Sequence, residues 1–148
     1  MSLSRLTIII PTFYPGRIIK KCLASLPPAS EIIIIDNGED LELEKTIKLQ
    51  KLKIKHFKVG DVGLSKSFNI ALAKSKNENI LITQPDVYFE KNSIINLIKA
   101  QKKYKKVGII SPLLFEKKKY SKYDYLDLSL SKSGNLKRIK KQKIINIP

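Results

Sequence analysis

The chain has one cysteine, Cys22, in 148 residues. A single thiol forms neither an internal disulfide nor a cysteine-based zinc site. No stretch approaches the ~18 consecutive apolar residues of a membrane span. Residues Met1 to Arg5 pass directly into Leu6-Thr7-Ile8-Ile9-Ile10. No charged region precedes a helical apolar stretch there, so no signal peptide is expected. Both features lead to the expectation of a cytoplasmic protein. Also missing are a Gly-x-Gly-x-x-Gly after the first apolar run and a P-loop, which argues against an ordinary dinucleotide-binding Rossmann domain. Acids are scarce late in the chain. Residues 99–148 hold 15 Lys and Arg against 3 Asp and Glu, whereas residues 1–98 hold 14 against 10. The net +16 is therefore concentrated in the last third. Such a segment suits an anionic membrane surface or nucleic acid, and a Lys- and Ile-rich composition throughout is its plainer explanation.

What is present reads as one folded domain, 43% hydrophobic, built from βα units. The continuous apolar run Leu6–Ile10 suits a strand covered on both faces, and Ile32–Ile35 and Ile80–Thr83 read as further strands. Lys53–Val59 alternates and reads as a strand nearer an edge. Val107–Ser111, closed by Pro112, is expected as a fifth strand. Helices are predicted at about 16–26 (Ile18, Ile19, Cys22, Leu23 and Leu26 inward), 41–51 (Leu43, Ile47 and Gln50 at helical spacing), 65–76 (Phe68, Ala71 and Leu72 inward) and 93–104 (Ile94, Ile95, Leu97 and Ile98 inward). Ser65 is the expected cap of the third, and Asn92 or Ser93 of the fourth. Beyond Pro112 the pattern fades. Tyr125–Leu130 alternates like a strand, and Ser133-Gly134-Asn135 suits a turn. Tyr104, Tyr120, Tyr123 and Tyr125 lie among lysines, which suits a lipid headgroup region, single-stranded nucleic acid or ordinary packing. Cys22 is expected in the core and His56 as an ordinary strand histidine.

Four segments fall just past strand C-termini, where open parallel sheets bind ligands at a switch in strand order. They are Pro11-Thr12-Phe13, Asp36, Gly63–Asn69 and Gln84-Pro85-Asp86. Phe13 offers a flat face for a base, and Asp36 an acceptor for a base N–H or a ribose hydroxyl. The Gly63 loop offers backbone N–H groups beside Lys66. Asp86 offers a carboxylate to a hard divalent cation. The structural alternatives are turn aspartates at Asp36 and Asp86, a helix amide at Asn69 and a solvated lysine at Lys66.

Taken in order, Leu6–Thr12, Ile33-Ile34-Ile35-Asp36-Asn37-Gly38, Gly63-Leu64-Ser65-Lys66-Ser67-Phe68-Asn69-Ile70-Ala71 and Gln84-Pro85-Asp86-Val87 resemble the successive motifs of family 2 glycosyltransferases, nearest the rhamnosyltransferase-like branch. The resemblance covers about residues 6–115. It implies an α/β fold of GT-A (Rossmann-like) type, a mostly parallel sheet flanked by helices. It also implies division into a nucleotide-sugar-binding domain over 1–115 and a basic C-terminal segment over 116–148, a partial acceptor region or tail. Because the acceptor-binding back half has no counterpart in the pattern, the fold is expected to be truncated. The implied activity is transfer of a sugar from a nucleotide-diphosphate donor to an acceptor hydroxyl with inversion, in cell-surface polysaccharide synthesis. The implied acceptor is a saccharide or a lipid-linked saccharide, with peripheral contact to an anionic inner membrane face.

By the same resemblance, Pro11, Thr12 and Phe13 line the nucleobase pocket and Asp36 contacts base or ribose. Gly63, Lys66, Asn69 and Gln84 face the donor, and Asp86 binds Mg²⁺ or Mn²⁺ on the diphosphate. The chain departs from the family at Gln84, where the first acid of Asp-x-Asp stands in many relatives, and at Phe13 and Ala71, where tyrosine and glycine are common. The acids after Asp86 are Glu90, Glu116, Asp124 and Asp127, and none stands in a recognisable general-base motif. A donor-binding domain without turnover is therefore the alternative reading. A basic nucleic-acid-binding domain is the third, although no nucleic-acid motif is present and no nucleic-acid partner is expected.

Overall fold

A computed structural model describes residues 3–28, 30–104 and 108–112, together with the backbone of 115–116, 119–120, 128–130 and 136–138. It forms two compact units, Met1–Asn92 and Ser93–Pro148.

The first unit carries a parallel sheet of four strands: β1 (Leu6–Thr12), β2 (Glu31–Asp36), β3 (Ile54–Lys58) and β4 (Asn79–Ile82). Their order is β3-β2-β1-β4. The helices are α1 (Ile19–Ser25), α2 (Leu41–Lys48) and α3 (Leu64–Lys74). Every residue of β1 is buried, as a central strand covered on both faces requires. From β1 the chain steps to β2 and β3 in one direction, so right-handed crossovers place α1 and α2 on one face. The return past β1 to β4 places α3 on the other. There Ala71 packs with Ile9, Ile33 and Ile35, and with Phe57, Phe68 and Ile80 beside them.

Helix ends differ from expectation for local reasons. Tyr14 (φ 45°) and Gly16 (φ 57°) take left-handed backbone, so α1 starts at Ile19 and leaves Ile18 exposed rather than inward. Helix α2 is capped by Asp40, whose carboxylate accepts from the Glu42 N–H at 2.8 Å. It carries Glu42 and Glu44 in its first turn and Lys45 and Lys48 in its last, as the helix dipole favours. Its buried residues are Leu43 and Thr46 rather than Leu43 and Ile47. Ser65 does not cap α3. The cap position is Gly63 (φ 76°), whose carbonyl accepts from the Ser67 N–H at 3.1 Å. Leu72 is exposed instead of inward.

The rim at the strand N-termini is closed by a polar cluster on Glu31. Its carboxylate accepts from the Thr7 hydroxyl at 2.6 Å and the Lys76 N–H at 3.0 Å, and pairs with Lys55. Burial pushes Glu31 up, but the Lys55 ammonium, the Thr7 hydroxyl and the Lys76 N–H together hold it below the usual carboxylate range. A carboxylate lowered in the folded state contributes stability above its unfolded value, about 4.3. That stability is lost as pH falls through the folded value. Denaturant midpoints taken from about pH 7 down to 3 are expected to fall more steeply for the wild type than for Glu31→Gln. Parallel slopes would exclude this role.

The second unit contains α4 (Ser93–Lys103), with Ile94 and Ala100 buried, whereas Ile95 is exposed and Leu97 and Ile98 are half-buried rather than inward. It also holds two short antiparallel pairs. These are β5 (Phe115–Glu116) with β6 (Lys119–Tyr120), and β7 (Leu128–Leu130) with β8 (Leu136–Arg138). The expected fifth strand is absent from its described part. Residues 108–112 pair with nothing, and Ile109 is 89% exposed. A short β-branched run becomes a strand only where a neighbour accepts its backbone hydrogen bonds. The strand pattern at Tyr125–Leu130 is met by β7 over its last three residues, and the turn expected at Ser133-Gly134-Asn135 lies outside the described residues.

Candidate functional site

The strand registers set the shape of the C-terminal rim. Thr12 lies opposite Asp36, and Asp36 opposite Lys58, so β1, β2 and β3 end level. On the other side Ile9 lies opposite Ile82, and the Thr83 N–H donates to the Ile9 carbonyl at 3.0 Å. Here the chain leaves the sheet, while β1 runs on to Thr12. The strand order reverses at this gap, and ligand crevices of open α/β sheets form at such a place.

Of the predicted β1 residues, Pro11 and Thr12 are buried, and the Thr12 hydroxyl donates to the Ile35 carbonyl at 3.3 Å. Phe13 is 59% exposed and meets Tyr14 edge to face, with ring centroids 4.9 Å apart. Tyr14 was missed by the sequence reading. Its ring lies on Gly38, where an added Cβ would fall 3.0 Å from a ring carbon and 3.1 Å from the Tyr14 nitrogen. Only glycine lets the two loops meet so closely.

Asp36 is wholly buried. One carboxylate oxygen accepts from the Gly38 N–H at 3.1 Å. The other accepts from the Asp40 N–H at 3.0 Å and lies 3.0 Å from His56 Nε2. The carboxylate therefore organises its own loop and the start of α2, as the turn-aspartate alternative requires. His56, expected to be an ordinary strand residue, is its third partner. Asn37 is equally engaged. Its amide donates to the Thr12 carbonyl at 3.1 Å, and its oxygen accepts from the Ser67 hydroxyl at 2.9 Å. Asn37 and Ser67 thus join the ends of β1 and β2 to the start of α3. Neither was singled out from the sequence. The available signal was Ser67, a polar residue one helical turn before the inward Ala71.

Gly63, Lys66 and Asn69 stand together on the first turns of α3 and are exposed, as are Gln84 and Asp86 across the crevice. Gln84–Val87 is a turn closed by the Val87 N–H on the Gln84 carbonyl at 3.2 Å. It presents Asp86 at its tip, as Pro followed by Asp favours. Among the described residues no hydrogen bond or ion pair engages the Asp86 carboxylate. Beneath it the Cys22 thiol donates to the Gln84 carbonyl at 3.5 Å. Burial and the Asp86 charge push that thiol up to about 11, so it stays protonated. The adjacent Thr83 hydroxyl is buried without a partner among the described residues.

Among the described residues no three His, Cys, Asp or Glu side chains gather as a ready-made metal site. Asp86 alone nevertheless fits a cation that arrives with a diphosphate. Mg²⁺ keeps several waters and is commonly held by one or two carboxylates plus substrate phosphates. A separate open groove between α1 and α2, lined by Gly16, Arg17, Lys20, Glu42 and Thr46, includes none of the predicted site residues. Among the described residues no helix is long and apolar enough to cross a membrane.

The family model for "Glycosyl transferase family 2" matches residues 7–147. The chain belongs to this family. Its parallel sheet and flanking helices form the GT-A type of α/β fold. Solved structures with the same fold include S. aureus TarS 1-349, at 23% identity and a TM-score of 0.59 over 67% of this chain and 32% of that one. The same TarS portion in complex with UDP-GlcNAc matches with identical scores over 31% of its length. Its complex with UDP matches at 22% identity and a TM-score of 0.56. This family 2 chain thus spans about a third of the TarS structures it resembles. No curated protein matches it significantly.

Proposed function

We propose that this family 2 chain binds a nucleoside-diphosphate sugar in the crevice between β1 and β4 and takes part in transferring the sugar to an acceptor hydroxyl. The observation that carries the reading is the Asp86 carboxylate, unengaged among the described residues. It stands across the strand-order switch from an exposed aromatic pair and the first turns of α3. Phe13 and Tyr14 give a flat base an apolar face. The Gly63 turn and Lys66 face the anionic diphosphate, with Asn69 and Gln84 available to its sugar side. A bound Mg²⁺ or Mn²⁺ would neutralise charge on the departing nucleoside diphosphate. Asp36 supports the base side indirectly, by fixing the loop on which Tyr14 rests. Its own contact with base or ribose requires that the wholly buried carboxylate become accessible.

UDP-GlcNAc is the first donor to try, and UDP the first nucleotide ligand, because the TarS structures hold them. Calorimetric titration with and without Mn²⁺ tests the reading, and UDP affinity that ignores the metal would overturn it. Binding without transfer to any saccharide would mark the donor-binding module instead. Inversion is checked by the anomeric configuration of the product, and the rhamnosyl or hexosyl type by competition among donors.

The family, with the basic composition of residues 99–148, supports a role in surface polysaccharide synthesis beside an anionic membrane. Each well-placed Lys or Arg contributes on the order of 1 kcal/mol at such a surface. Cosedimentation with vesicles rich in anionic lipid is expected and should fall steeply with salt. Equal binding to neutral vesicles would exclude the electrostatic contact.

A further inference from the structure

The Asp86 turn is exposed and short, yet a carboxylate that holds a cation must be placed closely. Mg²⁺ demands near-ideal octahedral geometry at about 2.0–2.1 Å. Two side chains of α1 supply that placement. Cys22 and Ser25 are three residues apart and so share a helix face. The Cys22 thiol donates to the Gln84 carbonyl at 3.5 Å, two residues before Asp86. The Ser25 hydroxyl accepts from the Phe89 N–H at 3.0 Å, three residues after it. The same hydroxyl donates to the Cys22 carbonyl at 2.7 Å, which fixes its orientation on the helix. Among the described residues no other hydrogen bond ties 84–89 to the rest of its unit.

Both contacts reach the backbone of the turn, so they set where it stands rather than its chemistry. α1 is in turn fixed to the sheet by its buried Ile19 and Leu23. The turn is therefore held on each side of Asp86 by one helix, α1, whose apolar face is buried. We propose that Ser25 and Cys22 are positioning residues that hold Asp86 in place for the cation on the donor diphosphate. This rests on the reading of Asp86 given above.

The test is UDP titration of the full chain with Mn²⁺ and with EDTA, alongside thermal unfolding, for wild type, Ser25→Ala, Ser25→Thr, Asp86→Ala and the Asp86→Ala/Ser25→Ala double variant. Partners that orient a metal ligand typically account for about 10- to 100-fold in metal affinity. Ser25→Ala is expected to weaken UDP binding to that extent with Mn²⁺ and to leave binding in EDTA unchanged. Ser25→Thr, which keeps the hydroxyl, should restore it. In the Asp86→Ala background Ser25→Ala should add nothing, since the pair acts through one carboxylate. The positioning role is overturned if Ser25→Ala has no effect, weakens binding equally with and without metal, or adds fully to Asp86→Ala. Should Ser25→Ala not fold, Cys22→Ala leaves the Phe89 contact in place and carries the same expectation. A wild type that ignores Mn²⁺ overturns the Asp86 reading itself, and the positioning role falls with it.

Discussion

Asp86→Ala is expected to remove the Mn²⁺-dependent part of UDP affinity and to lower sugar transfer on the order of 10²- to 10³-fold. That is the range seen when one preorganised electrostatic contact to developing charge is lost. The expectation follows from where the residue stands. Asp86 is exposed at the tip of a turn, and among the described residues its carboxylate bonds to nothing. Its removal therefore leaves no buried group unpaired, and the unfolding midpoint should stay within about 0.5 kcal/mol of wild type. Loss of function without loss of stability separates a ligand-facing carboxylate from a turn-forming one. If the variant still gains affinity from Mn²⁺, Asp86 is not the metal residue.

The opposite pattern is expected at Asp36. Replacing it by alanine strips partners from the Gly38 N–H, the Asp40 N–H and His56, all half-buried around a wholly buried carboxylate. Each hydrogen bond to a charged group is worth about 1.5–3 kcal/mol, and the groups left behind pay their own desolvation. A destabilisation of about 3 kcal/mol or more should appear in urea unfolding. Asp36→Asn keeps one acceptor oxygen and should cost less. A stability change within experimental error for Asp36→Ala would contradict the arrangement. If Asp36 also touches the donor, Asp36→Asn will weaken UDP binding far beyond its effect on unfolding.

The two aspartates show how much of the site was legible. Both occupy the same sequence context, a polar turn after an apolar strand, and both were read as ligand-facing. The strand pattern placed each on the correct rim, because runs such as Ile32–Ile35 leave no doubt about where a buried strand ends. It did not reveal that His56 sits one strand over, in register with Ile34 and able to reach Asp36. That pairing depends on the alignment of β2 with β3, which no local pattern encodes. Asn37 and Ser67 were missed for the same reason, since their bond spans 30 positions of chain. The fifth strand was overestimated because Val107–Ser111 has the right composition but its described part has no pairing partner.

The sequence alone determined the βα alternation, the parallel sheet with Leu6–Thr12 at its centre, and the rim on which Phe13, Gly63, Lys66, Asn69, Gln84 and Asp86 stand. Those follow from hydrophobic periodicity and turn chemistry, which act over a few neighbouring residues. Only the tertiary structure decided which polar groups are already spent. Asp36 is engaged by its own loop and His56, while among the described residues nothing engages the Asp86 carboxylate, on a turn that Cys22 and Ser25 hold. The reason is physical: a buried polar group must find a partner, and that partner comes from whichever distant strand or helix packing brings within about 3 Å.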